Sequence, residues 1–363
     1  MNEEFFIEPE PLKNENSITV CFSSDDKYAP YLCVAICSVK ENSDGDFYDI
    51  CILDDDISQE NKRKILSLAD ENFSIRFVDI KSYIANYGRD VFVTNSHFTE
   101  AAYFRLFIPE IFKKYSKVVY LDCDICVCRN LRYLFDIDLN EKSIGAVLDT
   151  EIRREIFIDN SDTKEYLINT LGMKFPEKYF QSGVLLLDIK KLRSFDFTNK
   201  CMRRLKEIGN PRYVDQCVLN SIFDGNVFFL DNKWNLEWHI PFFVENLSTQ
   251  LPSEIYQMYQ CAYDNPYVAH YCSGIKPWIN KEVCLADIWW KYARQTPFYE
   301  DFLSDLWEKA IEDRLFCRWG YWKYRLYYLL SKLTLGKMRK RYKMKRKEIR
   351  AKITQVKKFQ KGK

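Results

Sequence analysis

The run Lys117-Val118-Val119-Tyr120-Leu121-Asp122-Cys123-Asp124-Ile125-Cys126-Val127 decides how the chain is read. From Val118 to Leu121 it is apolar and rich in β-branched residues, as a strand buried on both faces is. It stops at two aspartates one residue apart. Unpartnered carboxylates are costly to bury, but at the carboxyl edge of a parallel sheet they face the crevice where ligands bind. Two carboxylates there suit a hard divalent cation, Mn²⁺ or Mg²⁺, better than zinc, and such a cation would hold a diphosphate. A lone D-x-D after a core strand is most often a pair of solvated turn residues, so the assignment rests on what accompanies it.

Upstream, Ile18 to Phe22 reads as a strand followed by the loop Ser23-Ser24-Asp25-Asp26, then a helix from Pro30 to Glu41. Asp49 to Leu53 is a second strand, Ser58 caps a second helix, and Ser74 to Val78 is a third strand. A helix over 100–112 leads into the Val118 strand. Downstream come strands at Ile144 to Leu148 and Val184 to Leu187, and a helix from Val214 to Phe223. Strands alternating with helices predict an α/β fold with a mostly parallel central sheet flanked by helices. Strand ends at Asp25, Asp54, Asp122, Asp149 and Asp188 are expected to turn carboxylates toward one edge. No G-x-G-x-x-G or Walker loop is present, which disfavours a dinucleotide oxidoreductase or a P-loop ATPase.

The chain has 363 residues, 47% hydrophobic and 16% aromatic, enough for a substantial core. Its 13 cysteines are scattered, many in apolar runs, as free thiols are in a reducing compartment. Cys123, Cys126 and Cys128 lack the spacing of a zinc site and read as packing thiols. The opening Met1-Asn2-Glu3-Glu4 does not read as a secretory leader and no apolar run reaches the length of a membrane span, so neither a cleaved signal nor a spanning helix is expected. A cytoplasmic location is expected. The net charge of +2 conceals an asymmetry: 337–363 carries 14 basic residues and one acid, while the rest holds 40 basic and 51 acidic residues, a net of −11. From 314 to 332 aromatic and basic residues interleave, as in a helix lying in a membrane interface. The partner predicted for this tail is therefore an anionic membrane surface at the inner face of the cell membrane. Nucleic acid ranks behind it, because no reader motif accompanies the charge.

His270 lies in Val268-Ala269-His270-Tyr271-Cys272-Ser273-Gly274-Ile275-Lys276-Pro277-Trp278. An imidazole is a suitable third ligand for Mn²⁺, and Lys276 could neutralise a leaving phosphate. Asp215-Gln216 opens an apolar helix, where an acid also serves as ordinary dipole complement. Arg105 is either a structural ion-pair residue or a contact to sugar hydroxyls and phosphate.

Taken in order, Phe22-Ser23-Ser24-Asp25-Asp26, Tyr103-Phe104-Arg105-Leu106, Leu121-Asp122-Cys123-Asp124, Tyr179-Phe180-Gln181-Ser182-Gly183-Val184, Asp215-Gln216 and the His270 to Trp278 segment resemble the family 8 retaining glycosyltransferases over about residues 17 to 280. The resemblance implies the Rossmann-like GT-A fold and transfer of galactose or glucose from a UDP-sugar, with Mn²⁺ as cofactor. By position it implies that Asp122, Asp124 and His270 bind the metal. Ser23, Ser24 and Asp25 would line the uridine pocket, with Cys123 beside it, and Gly274 and Lys276 would hold the diphosphate. Arg105, Gln181, Ser182, Asp215 and Gln216 would surround the donor sugar, and His97 and Asp149 would lie near donor and acceptor. Two departures, Lys27 for a common Asn and Gln181-Ser182 for Asn-Ala or Asn-Ser, leave the hexose open. The expected acceptor is a saccharide or glycolipid, as in bacterial lipopolysaccharide synthesis. A protein acceptor, including self-glycosylation, and a non-catalytic nucleic-acid-binding protein are the alternatives. The expected organisation is a lead-in over 1–16, a catalytic domain over 17–285, a helical extension over 286–336 and a polybasic tail over 337–363.

Overall fold

The computed structural model describes residues 9–12, 16–94, 99–157, 161–239, 247–333 and 335–361. Two compact units divide the chain: Met1–Gly274 with Ile288–Thr296, and Ile275–Asp287 with Pro297–Lys363.

In the first unit, β1 (Ile18–Ser24), α1 (Ala29–Glu41), β2 (Tyr48–Asp54), α2 (Gln59–Leu66) and β3 (Phe73–Asp79) alternate as the apolar pattern predicts. Then come β4 (Lys117–Leu121), β5 (Ile125–Val127), β6 (Ile144–Leu148), β7 (Phe180–Asp188), β8 (Phe228–Phe229), β9 (Leu236–Glu237) and β10 (Val268–His270). The main sheet has the order β3-β2-β1-β4-β7-β6-β8, and a smaller one the order β5-β10-β9. Every residue of β1 and β2 is buried, which explains their near-continuous apolar composition. Each such Ile, Val or Leu contributes roughly 1.5–3 kcal/mol of burial.

The main sheet is parallel except at β7, which runs antiparallel to both β4 and β6. This corrects one expectation. Asp188 ends β7 opposite Lys117, the start of β4, so it lies at the edge away from Asp122. There its carboxylate caps the helix Ile189–Ser194 by accepting from Lys191 N at 2.9 Å. Asp54 is also structural, buried and paired with Lys62 at 2.6 Å.

The helix expected over 100–112 is a 3-10 helix from Glu100 to Phe107 followed by one α turn, Ile108–Ile111. Pro109 explains the break, since it has no N–H for a continuing α-helix yet fits a first turn.

The D-x-D turn is the joint between the two sheets. Asp122 N still donates to Gly183 O of β7 at 2.8 Å, whereas β5 pairs antiparallel with β10 and sets His270 opposite Ile125. Tyr271 N donates to Asp124 O at 2.8 Å. This pairing brings together residues almost 150 positions apart in sequence.

In the second unit the helices Tyr299–Leu333 and Gly336–Lys361 pack on one another. Tyr327 stacks on Tyr342 with ring centroids 5.9 Å apart, and Arg346 lies over Tyr324 and Tyr328. Among the described residues, no helix is long and apolar enough to cross a membrane.

Candidate active site

Asp122, Asp124 and His270 converge where the two sheets meet, with their ligand atoms within 4.8 Å of one another. His270 Nε2 is 3.2 Å from Asp124 Oδ1 and 3.7 Å from Asp122 Oδ2. The ring is buried, and its other nitrogen, Nδ1, lies 2.8 Å from Asn235 Oδ1. An amide oxygen can only accept, so Nδ1 carries a proton and Nε2 is the nitrogen that faces the carboxylates. That leaves Nε2 as the nitrogen a metal would take, with Nδ1 held by the kind of outer partner such histidines have.

Gly183 completes the cradle. A Cβ there would lie 2.4 Å from His270 Cε1 and 2.6 Å from Asp122 Oδ2, so any other residue would displace the ligands. Two carboxylates and one imidazole with donor atoms this close together fit a divalent cation of the Mn²⁺ type.

Arg105 is the strut of this site. It is buried and its Nη2 donates to Asp122 Oδ1 at 2.8 Å, while Nη1 donates to Ser182 O at 2.6 Å. Its Nε–H goes to Ala102 O, so the 3.1 Å contact with Asp215 Oδ2 is an ion pair without an aligned hydrogen bond. The Tyr120 ring lies 4.3 Å beneath the guanidinium, and the Tyr120 hydroxyl donates to Asp122 Oδ1 at 3.0 Å. Of its two sequence readings, the structure displays the ion-pair role. Burial pushes the Asp215 carboxyl up to about 6, with Arg105 pulling the other way.

Gln216 is clamped at both ends. Its Oε1 accepts from Ser182 N at 3.0 Å, and its Nε2 donates to Asp149 Oδ2 at 2.9 Å. The helix that carries it, Val214–Phe223, is entered through Val214 at φ 36°, a strained conformation for a β-branched residue. Asn220 on the same helix ties it to β7 through both Phe180 N and Phe180 O, at 2.8 and 2.7 Å. Asp149 caps the helix Thr150–Ile156 through its Oδ1. Burial pushes its carboxyl well above the ordinary range, and burial together with the Asp149 charge does the same to Glu237.

Gln181 Oε1 accepts from Gly183 N and, at 2.6 Å, from Asn235 Nδ2. Asn235 therefore links His270 to Gln181, the predicted sugar contact. Ser23 and Ser24 close β1 as buried residues, and Asp25 Oδ1 accepts from Tyr28 N at 2.8 Å at the entry to α1. The Cys123 thiol turns inward to Ser23 O, 3.1 Å away, and fastens the β1 and β4 ends. Gly274 is exposed, with no protein atom within 4 Å of an added Cβ. Lys276 belongs to the second unit, where it is buried with Nζ 5.8 Å from the Trp278 ring centroid. His97 lies outside the described residues. Cys123, Cys126 and Cys128 form no metal cluster among the described residues.

Sequence reading missed Asn235, Tyr120, Asn220 and Glu237. In Trp234-Asn235-Leu236-Glu237-Trp238 the polar residues alternate with bulky apolar ones, the one faint signal that they point inward together.

Glycosyl transferase family 8 matches residues 19–282 of the chain. The lipopolysaccharide 1,2-glucosyltransferase of Escherichia coli (strain K12) is 25% identical over 271 residues, 74% of this chain and 74% of that one. Among solved structures, the apo WbbM bifunctional glycosyltransferase is similar at TM-score 0.73 and 27% identity. The match covers 83% of this chain, which spans only 54% of WbbM. The galactosyltransferase LgtC, solved with donor and acceptor sugar analogues, is similar at TM-score 0.63 and 26% identity, covering 77% of this chain and 96% of that one.

Proposed function

We propose, from the premise that this chain belongs to glycosyl transferase family 8, that it moves a hexosyl group from a UDP-hexose to a saccharide hydroxyl with retention at the anomeric carbon. The observation that carries this reading is the cradle of Asp122, Asp124 and His270, with imidazole Nε2 facing the carboxylates. Those three residues would hold Mn²⁺, which when bound neutralises charge developing on a leaving diphosphate.

The remaining roles follow from the contacts. Ser23, Ser24 and Asp25 at the end of β1 would receive the uridine, with the Cys123 backbone beside them. Gly274, unobstructed on its Cβ side, would let the backbone approach the diphosphate. Arg105 holds Asp122, Asp215 and Ser182 in one arrangement, so its part is to position the site. Gln181 and Ser182 would face the sugar, with Asp149 near the acceptor. Asp215 is buried against Arg105 and Gln216 is a clamped neutral amide, so neither is set up as a nucleophile. That favours front-face attack, in which the acceptor oxygen enters on the face that the diphosphate leaves.

The acceptor we favour is a lipid-linked glycan of a bacterial surface polysaccharide, in keeping with the similarity to the E. coli lipopolysaccharide enzyme. In the second unit Trp307, Trp319 and Trp322 are exposed, and the helix Gly336–Lys361 carries the basic run. Together they suit peripheral attachment to an anionic bilayer. We retain the division into a catalytic domain over 17–285 and a C-terminal extension.

UDP release from a panel of UDP-sugars with Mn²⁺, compared between wild type and Asp124→Ala, tests the reading without knowledge of the acceptor. Metal-dependent turnover of one sugar that disappears in the variant supports it. Absence of both turnover and Mn²⁺-dependent UDP binding sinks it.

A further inference from the structure

A second group of donor atoms lies in the first unit. Glu237, His239 and Cys272 each offer one, and the three lie within 4.8 Å of one another. The parallel β9–β10 pairing sets Glu237 beside His270, so the residues that follow each strand, His239 and Cys272, also meet. Cys272 Sγ is 3.5 Å from His239 Nδ1. With Zn–S near 2.3 Å and Zn–N near 2.05 Å, two ligands of a tetrahedral zinc stand about 3.6 Å apart. The thiol and imidazole already have that separation.

A simple S–H···N hydrogen bond would also account for the Cys272–His239 distance. It leaves the third member unexplained. Glu237 is buried, its Oε2 takes the Thr150 N–H at 2.7 Å, and the carboxyl lies beside the equally buried Asp149. Among the described residues neither carboxyl has a Lys, Arg or His in an ion pair. Two neighbouring buried carboxyls without a cation are neutralised only by keeping protons, and a cation on Glu237 would take the place of one. The donor set also differs in kind from the first site. Two carboxylates and an imidazole suit Mn²⁺, whereas thiolate, imidazole and one carboxylate suit zinc.

We propose that Glu237, His239 and Cys272 form a zinc-selective site with three protein ligands, distinct from the Asp122, Asp124 and His270 site. Binding would release the Cys272 thiol proton and the carboxyl proton of Glu237 to solvent. Three ligands leave a fourth position for water or another small donor. Because Glu237 stands beside Asp149, which holds Gln216, occupancy would act on the network that orients that amide.

Co²⁺ is the probe, since only a thiolate ligand gives it an intense near-ultraviolet charge-transfer band. The full chain titrated with Co²⁺ should develop that band, and Zn²⁺ should displace it. The band should persist in the double variant Asp122→Ala/Asp124→Ala and vanish in Cys272→Ser, which should still bind Mn²⁺. Zn²⁺ affinity in His239→Gln should fall by more than the ~10–100-fold that loss of an outer-shell partner costs. A wild type without the band, or a band that survives in Cys272→Ser, overturns the proposal. Should Cys272→Ser fail to fold, an unchanged Zn²⁺ affinity in His239→Gln overturns it equally.

Discussion

Two Arg–Tyr–Asp sets sit on the main sheet, built from the same parts and left in opposite states. In the first, Asp49 Oδ1 accepts from Arg76 Nε at 2.9 Å, and Oδ2 takes Arg76 Nη2 and the Tyr115 hydroxyl. Both oxygens are used, and the Asp49 side chain is 1% exposed. In the second, Asp122 Oδ1 takes both Arg105 and Tyr120, while Oδ2 is turned toward His270 Nε2 and the side chain is 22% exposed. The first set is closed upon itself and serves the fold. The second uses one carboxylate oxygen to be held and leaves the other facing His270. What separates the two aspartates is the oxygen left over, the one that the proposed cation would take.

Breaking the closed set should give the largest effect. Asp49→Ala strands the Arg76 charge in a mostly buried place, a loss of about 3–5 kcal/mol of stability. Denaturant unfolding would read it, while donor hydrolysis per folded molecule should stay within about twofold of wild type. If activity instead fell in step with Asp122 variants, the two sets would not be separable in function.

The open set should respond the other way. Asp122→Asn keeps an oxygen for Arg105 and Tyr120 but removes the charge, so the scaffold survives and the ligand is weakened. Mn²⁺-dependent donor hydrolysis should fall by about 10²–10³-fold, or roughly 2.7–4 kcal/mol of barrier. The unfolding midpoint should move less than in Asp49→Ala. A large stability loss without a kinetic one would reverse the comparison.

These two sets also mark how far the sequence could be read. Val118 to Leu121, Ile144 to Leu148 and the helix at Val214 announce themselves by apolar period, because burial on both faces demands unbroken apolar runs. The reversal of β7 was not legible. An antiparallel strand buried on both faces has the same composition as a parallel one, so Asp188 was placed at the wrong edge. At the site, the motif residues Asp122, Asp124, His270, Arg105, Ser182, Asp215 and Gln216 do come together, linked by the contacts above. Their supports did not stand out. Tyr120 looks like any core aromatic, and Asn235 like any loop amide, until β9 and β10 pair. A helix over 100–112 was half right, because period alone does not distinguish a 3-10 stretch from an α-helix before Pro109.

Asn235 allows a finer cut. It gives its oxygen to His270 Nδ1 and its amide hydrogens to Gln181. Asn235→Ala should weaken Mn²⁺ binding by about 10–100-fold, since the imidazole loses the partner that fixes its tautomer. Asn235→Asp can still accept from Nδ1 but cannot donate to Gln181. It should recover much of the metal affinity while altering selectivity across the UDP-hexose panel. Equal metal affinity in all three proteins, by Mn²⁺ titration, would falsify the tautomer argument.

The last effect belongs to a carboxyl that no arginine closes and that keeps a proton in the metal-free protein. Glu237 is buried beside Asp149, and burial holds both carboxyls above their ordinary range. The native state therefore keeps a proton that the unfolded chain gives up once pH exceeds the usual carboxylate value of about 4.3. In metal-free protein its contribution to stability is complete below that value and is lost as pH rises toward the raised folded value, at no more than about 1.4 kcal/mol per pH unit. Glu237→Gln can keep the Thr150 N–H bond through its amide oxygen and has no proton to lose. The difference in unfolding temperature between variant and wild type should shift in favour of the variant between about pH 5 and pH 8. A difference that stays flat across that range would mean that Glu237 is ionised in the native protein and has found a cation, which puts it with Asp49 rather than apart from both sets.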